Sequence, residues 1–80
     1  MEVIVMRNAV SVRIFNKMTD EIEFSNEFPF ETLEIAKIFF NIIIDKLTND
    51  MGYKKYPSIY SDNLIEFEDD DSYVQLALFE

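Results

Sequence analysis

The sequence predicts an α+β fold, in which an antiparallel sheet of four to five strands carries one long central helix packed across it, in the order β-β-α-β-β. Three observations support this prediction. A helical apolar period runs through residues 31–51 and stops before Gly52, the chain's only glycine. Alternating apolar and polar residues precede this stretch, and a second alternating region follows it. Eighty residues without cysteine indicate one domain, 1–80, stabilised by its core alone.

The first strand is predicted from the β-branched residues of segment 2–15. Val10, Val12 and Ile14 alternate with polar residues and should share one face of a half-buried strand. A bulge or break at residues 7–8 would separate this strand from a short additional strand at the start of the chain.

The second strand should follow the polar turn at residues 16–20. Residues 21–28 alternate again, and we expect Ile22 and Phe24 to point inward while Glu21 and Glu23 point outward. The first part of the chain is therefore an antiparallel hairpin that feeds the helix.

The helix is predicted from the spacing of one apolar set by three or four residues: Leu33, Ala36, Phe40, Ile43, Leu47 and Met51. Such a stretch is too long for an ordinary strand. Glu31 and Glu34 near its start complement the positive N-terminal end of a helix, and Gly52 can take the left-handed conformation that ends one.

The helix carries a second apolar group beside the first, consisting of Ile35, Ile38, Phe39 and Ile42. A helix that lies on one side of a sheet needs an apolar stripe of only about 100°. Two interpretations account for the surplus: a curved sheet or loops wrap around the helix, or the second group forms a homodimer interface. Charges recur within the helix, so no membrane span is expected.

The segment 53–60 combines three tyrosines with two lysines and is expected to be a loop that leads into a short strand. Tyr53, Tyr56 and Tyr60 could anchor a partner, because tyrosine supplies large amphipathic contacts at interfaces. The alternative is that the three rings cover one end of the core.

The last part of the chain is predicted to be a second hairpin. Ile65 and Phe67 share one face of a strand at residues 64–68, and residues 69–72 form the turn. The strand at residues 73–79 is largely apolar on both faces, which is typical of a central strand.

The composition argues against an enzyme. The chain has no histidine and no cysteine, so the commonest general base and the usual thiol nucleophile are missing. Its serines have no histidine to activate them, and a single glycine cannot build a phosphate-binding loop. Residues 66–71 are acidic but lack the spacing of a calcium-binding EF-hand loop. We therefore expect no catalytic residues, no cofactor and no metal site.

The net charge of −9 arises from 16 acidic and 7 basic residues, so direct binding of nucleic acid is not expected. Carboxylates cluster in the two predicted turns, and they could occupy a basic groove that normally holds DNA or RNA phosphates. The candidate partner-binding carboxylates are Asp62, Glu66, Glu68, Asp69, Asp70 and Asp71, with Asp20, Glu21 and Glu23 in the other turn.

In length and charge the chain resembles small acidic phage proteins that inhibit host nucleases, including anti-CRISPR and anti-restriction proteins. The resemblance implies a non-enzymatic inhibitor, a DNA mimic that binds a basic protein surface. No motif carries it, so it assigns no residue a role. The alternative hypothesis is a dimeric structural or adaptor module that uses the apolar helix face. The first ten residues lack the features of a signal peptide, so we expect the cytoplasm of a bacterium or an infected host cell.

Overall fold

Five strands form one antiparallel sheet in a computed structural model that describes residues 8–59 and 61–80. The elements in chain order are β1 (Ala9–Asn16), β2 (Ile22–Pro29), α1 (Leu33–Asp45), β3 (Lys54–Pro57), β4 (Leu64–Glu68) and β5 (Ser72–Phe79). The strands lie side by side in the order β2-β1-β5-β4-β3. The predicted α+β fold is confirmed, with three strands instead of two after the helix. The additional strand predicted before residue 8 lies outside the described residues.

The centre of the sheet is the pair β1 and β5, which align Val12 with Leu76 and Ile14 with Val74. On the other side of β5, strand β4 aligns Phe67 with Val74. Residues paired across strands point to the same face, so the predicted alternation of β1, β4 and β5 produces one continuous apolar face. That face carries the core, in which Phe67, Leu76 and Val74 are completely buried.

Helix α1 lies across this face, over β1 and β5. It begins two residues later than predicted, because the Thr32 hydroxyl accepts a hydrogen bond from the Ile35 N–H (3.2 Å) and thereby caps the N-terminus. Ala36 and Phe40 are buried against the sheet. The first predicted apolar set is thus the face that packs on the core.

The end of the helix differs from a regular α-helix. Residues Lys46–Asp50 form a π-helical segment, closed by a hydrogen bond from the Met51 N–H to the Lys46 carbonyl (3.0 Å). Gly52 then adopts φ 72°, and the chain leaves the helix. The prediction that Met51 belongs to the buried face is wrong, since its side chain is 59% exposed beyond the last turn.

The predicted inward position of Ile22 and Phe24 is also wrong, because these side chains are 55% and 43% exposed. β2 is an edge strand, and the helix lies over β1 and β5 rather than over β2. The register also shifts between Ile14 and Phe15, so that Ile22 lies opposite Phe15 while Phe24 lies opposite Ile14. The hairpin is present, but its second strand is exposed except at Phe28, which is partly buried against the core.

The segment after the helix contains the short strand β3, which pairs with β4 and forms the second edge of the sheet. The predicted loop is therefore shorter than expected. On the sheet face away from the helix, Phe15 and Tyr73 stack with ring centroids 4.7 Å apart and an interplanar angle of 9°. One face of the sheet thus holds the core, and the described residues place no helix on the other.

Candidate functional site: the acidic end of the sheet

The turn between β1 and β2 is built by Asn16. Its side-chain oxygen accepts hydrogen bonds from the backbone N–H groups of Met18 (2.8 Å) and Thr19 (3.2 Å). Asp20 follows with φ 62°, a left-handed conformation that aspartate tolerates better than most residues. The turn is closed by the Asn16 N–H, which donates to the Glu21 carbonyl (2.9 Å). This geometry leaves the carboxylates of Asp20 and Glu21 exposed.

The turn between β4 and β5 depends in the same way on Asp69. One carboxylate oxygen of Asp69 accepts hydrogen bonds from the backbone N–H groups of Asp71 (2.9 Å) and Ser72 (2.8 Å). These bonds stabilise the charged form, so the pKa of Asp69 is lowered, with the Ser72 N–H as the main cause. Asp69 therefore holds the turn, whereas Asp70 and Asp71 are left exposed beside it.

The two turns meet because β1 and β5 are neighbours in the sheet. The Lys17 backbone N–H donates to the Asp71 carbonyl (3.0 Å). The ammonium group of Lys17 donates to the Asp69 carbonyl (3.0 Å) and lies 2.8 Å from a carboxylate oxygen of Glu68. This lysine, which connects residues about 50 positions apart in sequence, fixes the first turn against the second.

The Lys17–Glu68 ion pair shifts both groups towards their charged forms. Hydrogen bonding to Glu68 raises the pKa of Lys17, and the same bond lowers the pKa of Glu68, with further contributions from Tyr56 and Lys54. Both side chains remain substantially exposed to solvent. The pair is a surface feature that positions the turns and adds little to stability.

The result is a concentration of negative charge at one end of the sheet, which we call the acidic end. Seven carboxylates lie there against the ammonium groups of Lys17 and Lys54: Asp20, Glu21, Glu23, Glu68, Asp69, Asp70 and Asp71. The C-terminus of the helix points to the same end, since the Tyr53 hydroxyl lies 2.7 Å from the Ser72 hydroxyl. The negative end of the helix dipole adds partial negative charge there.

Two of the predicted partner-binding carboxylates lie elsewhere. Asp62 is in the loop between β3 and β4, at the opposite end of the sheet, where the neighbouring Asn63 bonds to Glu80 (2.7 Å). Glu66 lies in the middle of β4 on the face away from the helix and accepts a hydrogen bond from the Gln75 side chain (3.3 Å). The structure therefore separates Asp62 and Glu66 from the other predicted partner-binding carboxylates, which remain together at the acidic end.

The three predicted tyrosine anchors have different positions. Tyr53 is half-buried against the core, and its hydroxyl is bonded to Ser72, so it connects elements within the chain. Tyr56 on β3 is 47% exposed and borders the acidic end together with Glu68. Tyr60 lies outside the described residues. Tyr56 is thus the tyrosine among the described residues that is available to a partner.

The second apolar group of the helix is exposed in three of its four members. Ile35, Ile38 and Ile42 are 47%, 60% and 48% exposed. Phe39 is partly buried, and its ring contacts those of Phe28 and Phe30 at centroid distances of 5.4 Å and 5.0 Å. The helix therefore carries an exposed apolar surface, and Phe39 connects this surface to the sheet.

Sequence reasoning missed Lys17, the residue that joins the two turns. It appeared only as one polar residue of a turn, and its role depends on which strands are neighbours. The residues next to it in the sequence carry no signal of that contact. The exposed edge of β2 was missed for a similar reason, because periodicity assigns a face but does not say what covers it.

Comparison with family models, curated proteins and solved structures gives no match to this chain. Within residues 8–59 and 61–80, no group of carboxylates is arranged to hold a metal ion. The same part of the chain has no helix both long and apolar enough to cross a membrane.

Proposed function

We propose that the protein is a non-enzymatic inhibitor that binds the basic, nucleic-acid-binding surface of a target protein through its acidic end. In this role the carboxylates of the two turns replace the phosphates of DNA or RNA, as in a phage-encoded anti-defence protein of the anti-CRISPR or DNA-mimic kind. The partner is a protein, and no direct contact with nucleic acid is proposed.

One observation carries the proposal: two acidic turns far apart in sequence are joined at one end of the sheet by Lys17. Carboxylates spread evenly over a surface would be ordinary for a soluble protein. Carboxylates gathered at one end create a local negative field that attracts and orients a cationic partner before contact. The fixed geometry of the turns also lowers the entropy lost when a partner binds.

The residues of the acidic end divide into those that build it and those that face outward. Asp69 and Glu68 are bonded within the chain, to the turn backbone and to Lys17. Asp70 and Asp71 are exposed at the tip. The latter two are therefore the carboxylates that we expect to contact a basic surface.

The experiment measures binding of a fluorescein-labelled oligolysine peptide, as a minimal basic surface, by fluorescence anisotropy. The double variant Asp70→Lys/Asp71→Lys should lose about tenfold in affinity at ~50 mM salt, because it reverses charge at the point of contact. Wild-type affinity should fall steeply when the salt concentration is raised to ~300 mM.

The matched control is Glu31→Lys/Asp62→Lys, which changes the net charge by the same amount at the opposite end of the sheet. It should lose about twofold or less, since charges beyond a Debye length are screened. Equal losses in the two variants would mean that only the total charge matters, and the acidic end would then have no special role.

A second candidate function is supported by the exposed Ile35, Ile38 and Ile42, namely a structural or adaptor module that makes an apolar contact through the helix. Replacing Ile38 and Ile42 with glutamate should abolish that contact without changing oligolysine binding. Its affinity should also resist salt, in contrast to binding through the acidic end.

A further inference from the structure

The face of the sheet opposite the helix, which we call the helix-free face, carries Arg13 near its centre. Arg13 of β1 lies between Ser25 of β2 and Gln75 of β5. Among residues 8–59 and 61–80, Arg13 is the one arginine, and its side chain forms no ion pair or hydrogen bond with the others. Glu66, beyond Gln75 in the same row across the sheet, accepts a hydrogen bond from the Gln75 side chain. The guanidinium group of Arg13 is therefore free to bind a ligand.

The composition of the chain makes this unpaired arginine unexpected. The sequence has 16 acidic residues and only 7 basic ones, so carboxylates are abundant. Lys17 at the acidic end, by comparison, is paired with Glu68. Arginine is the side chain best suited to hold a carboxylate, because its planar guanidinium group donates two parallel hydrogen bonds to one carboxylate. The fold thus keeps its best carboxylate-binding side chain apart from its own carboxylates.

A cavity of about 450 Å³ lies beside Arg13 on the helix-free face. Its floor is formed by Ser11 and Ala77, which are paired across β1 and β5 and whose small side chains leave a depression. Leu64, opposite Ala77 on β4, and Phe79, two residues further along β5, form apolar walls. These two side chains are 39% and 37% exposed, so a ligand can reach them from solvent. The volume lies within the range of small-molecule sites, about 300–1,000 Å³.

The loop before β4 forms one side of the cavity through Ser61 and Asn63, and it is fixed by hydrogen bonds. The Asn63 carbonyl accepts a hydrogen bond from the Leu78 N–H (2.8 Å), and the Asn63 N–H donates to the Ser61 hydroxyl oxygen (3.0 Å). The Asn63 side-chain amide also donates to the Glu80 carboxylate (2.7 Å). Because these bonds hold the loop against β5, the cavity is formed in advance and less entropy is lost on binding.

We infer that this cavity binds a small monocarboxylic acid with an apolar body, whose carboxylate pairs with Arg13. The guanidinium group donates two hydrogen bonds to the carboxylate. The Ser11 hydroxyl, which lies next to Arg13 on the same face of β1, donates a further one. The apolar body of the ligand rests on Ala77 between Leu64 and Phe79, where it removes apolar surface from water.

The charges around the cavity select the class of anion. The net charge of −9 repels every anion, and it repels a dianionic phosphate more strongly than a carboxylate with a single charge. Arg13 neutralises one negative charge, and no lysine of the described residues lines the cavity with it. The apolar walls add binding energy only for a ligand with an apolar body, which inorganic phosphate and acetate lack. The site therefore favours one negative charge attached to an aliphatic or aromatic group.

The cavity is separate from the acidic end. The stacked rings of Phe15 and Tyr73 occupy the helix-free face between Arg13 and the acidic end. The cavity lies on the other side of Arg13, towards the loop that carries Asp62. A ligand in the cavity leaves the carboxylates of the acidic end exposed. The inference therefore goes beyond the proposed inhibitory function, and neither depends on the other.

The first test titrates the protein with hydrocinnamate, an aromatic monocarboxylate, and follows the methyl signals by NMR. The phenyl ring of the bound ligand should shift the methyl signals of Ala77 and Leu64, with a dissociation constant on the order of 1 mM. The methyl group of Ala36 is completely buried between the helix and the opposite face of the sheet, so its signal serves as the internal reference. The uncharged hydrocinnamamide should bind about tenfold more weakly, because it cannot form the charged pair with Arg13.

The second test separates the charged and the apolar parts of the site by substitution. Arg13→Gln should weaken hydrocinnamate binding about tenfold and leave hydrocinnamamide binding unchanged. Ala77→Leu fills the floor of the cavity and should abolish the binding of both compounds. The matched control is Lys37→Gln, which changes the net charge by the same amount on the polar strip of the helix and should bind both compounds like the wild type. Circular dichroism verifies the fold of each variant.

Saturable shifts at Ala77 and Leu64 that weaken in Arg13→Gln but persist in Lys37→Gln would support the inference. The absence of saturable shifts up to ~20 mM hydrocinnamate would overturn it. Equal weakening in Arg13→Gln and Lys37→Gln would overturn it as well, because only the total charge would then matter. Displacement of hydrocinnamate by an equal concentration of inorganic phosphate would reject the carboxylate class, and shifts at Ala36 as large as those at Ala77 would reject the helix-free face.

Discussion

The two edge strands of the sheet, β2 and β3, differ in length and in amino-acid composition. β2 has eight residues, contains no lysine and exposes the apolar side chains of Ile22 and Phe24. β3 has four residues, begins with Lys54 and Lys55, and ends in Pro57. Short strands, lysines and proline are the features by which proteins protect an edge from pairing with another chain. One edge strand thus carries these protective features, and the other does not.

Proline acts in β3 through its position in the ladder. Pro57 pairs with Ile65 at a point where the backbone of β3 faces outward, so the missing N–H is one that a new strand would need. In β2 the proline stands at the last position, Pro29, and the outward groups of Ser25 are retained. The contrast teaches that the position of a proline within the ladder, rather than its presence, decides whether an edge can pair.

The largest expected effect is a difference in unfolding free energy between a substitution in β4, the strand that pairs with β3, and one in β2. Phe67, which pairs with Lys55 of β3, is completely buried, and Phe67→Ala should lower the free energy of unfolding by about 3–5 kcal/mol. Phe24→Ala in β2 should cost about 1 kcal/mol or less in dilute protein, because the ring is half-exposed. Urea unfolding measures both. Equal losses would mean that β2 is covered in solution at all concentrations.

A smaller effect should arise where the chain enters β3. Tyr53→Phe removes the hydroxyl that bonds to Ser72 and should cost about 0.5–1.5 kcal/mol. Amide hydrogen exchange in β3 should accelerate, because this bond connects the segment before β3 to β5. Tyr56→Phe removes a hydroxyl from an exposed tyrosine beside Glu68 and serves as the matched control with a lower expected cost. If Tyr53→Phe accelerated exchange in β2 more than in β3, this would contradict the role of the Tyr53–Ser72 bond in holding β3.

The fold could be predicted from sequence wherever one face of an element is buried. The alternation of β1, β4 and β5 and the three-four spacing of α1 both arise from contact with one core, and the structure confirms them. The prediction that Ile22 and Phe24 of β2 point inward was wrong because one helix is narrower than the sheet. A helix is ~10 Å wide, whereas five strands spaced ~4.8 Å apart span about 20 Å. One helix therefore cannot cover every strand, and periodicity does not reveal which strand is left out.

The candidate site could be predicted only in its composition. The carboxylates of the two turns are visible in the sequence, but their meeting depends on β1 lying beside β5, a pairing between the two ends of the chain. Local patterns carry no information about this contact. For the same reason Asp62 was grouped with Asp69 by nearness in sequence, although the two lie at opposite ends of the sheet.

A third prediction concerns the pH dependence of the turn beside the β3 edge. The pKa of Asp69 is lowered in the folded protein, so its contribution to stability is present above the ordinary value of ~4 and is lost as pH falls through the lowered pKa. Asp69→Asn keeps the accepting oxygen and removes the titration. The fall of the melting temperature between about pH 5 and pH 2 should therefore be shallower in this variant.

The control for this prediction is Asp71→Asn, which removes a charge from the same turn but leaves the carboxylate of Asp69 and its hydrogen bonds in place. It should retain the steeper acid dependence of the wild type. If both variants flattened the melting curve equally, the total charge of the turn, and not the bonded carboxylate, would be responsible.

The smallest effect should come from removing the protective features of the β3 edge. Lys55→Val removes a charge from β3, and Pro57→Val restores an outward N–H, so the double variant should associate through β3 with weak, millimolar-range affinity. Four residues offer few hydrogen bonds, and the helix does not lie over β3, so this contact should be weak. Sedimentation equilibrium of the double variant, with the wild type as the reference, would measure it. A double variant that remained monomeric would show that the length of the strand, rather than its lysine and proline, keeps the β3 edge unpaired.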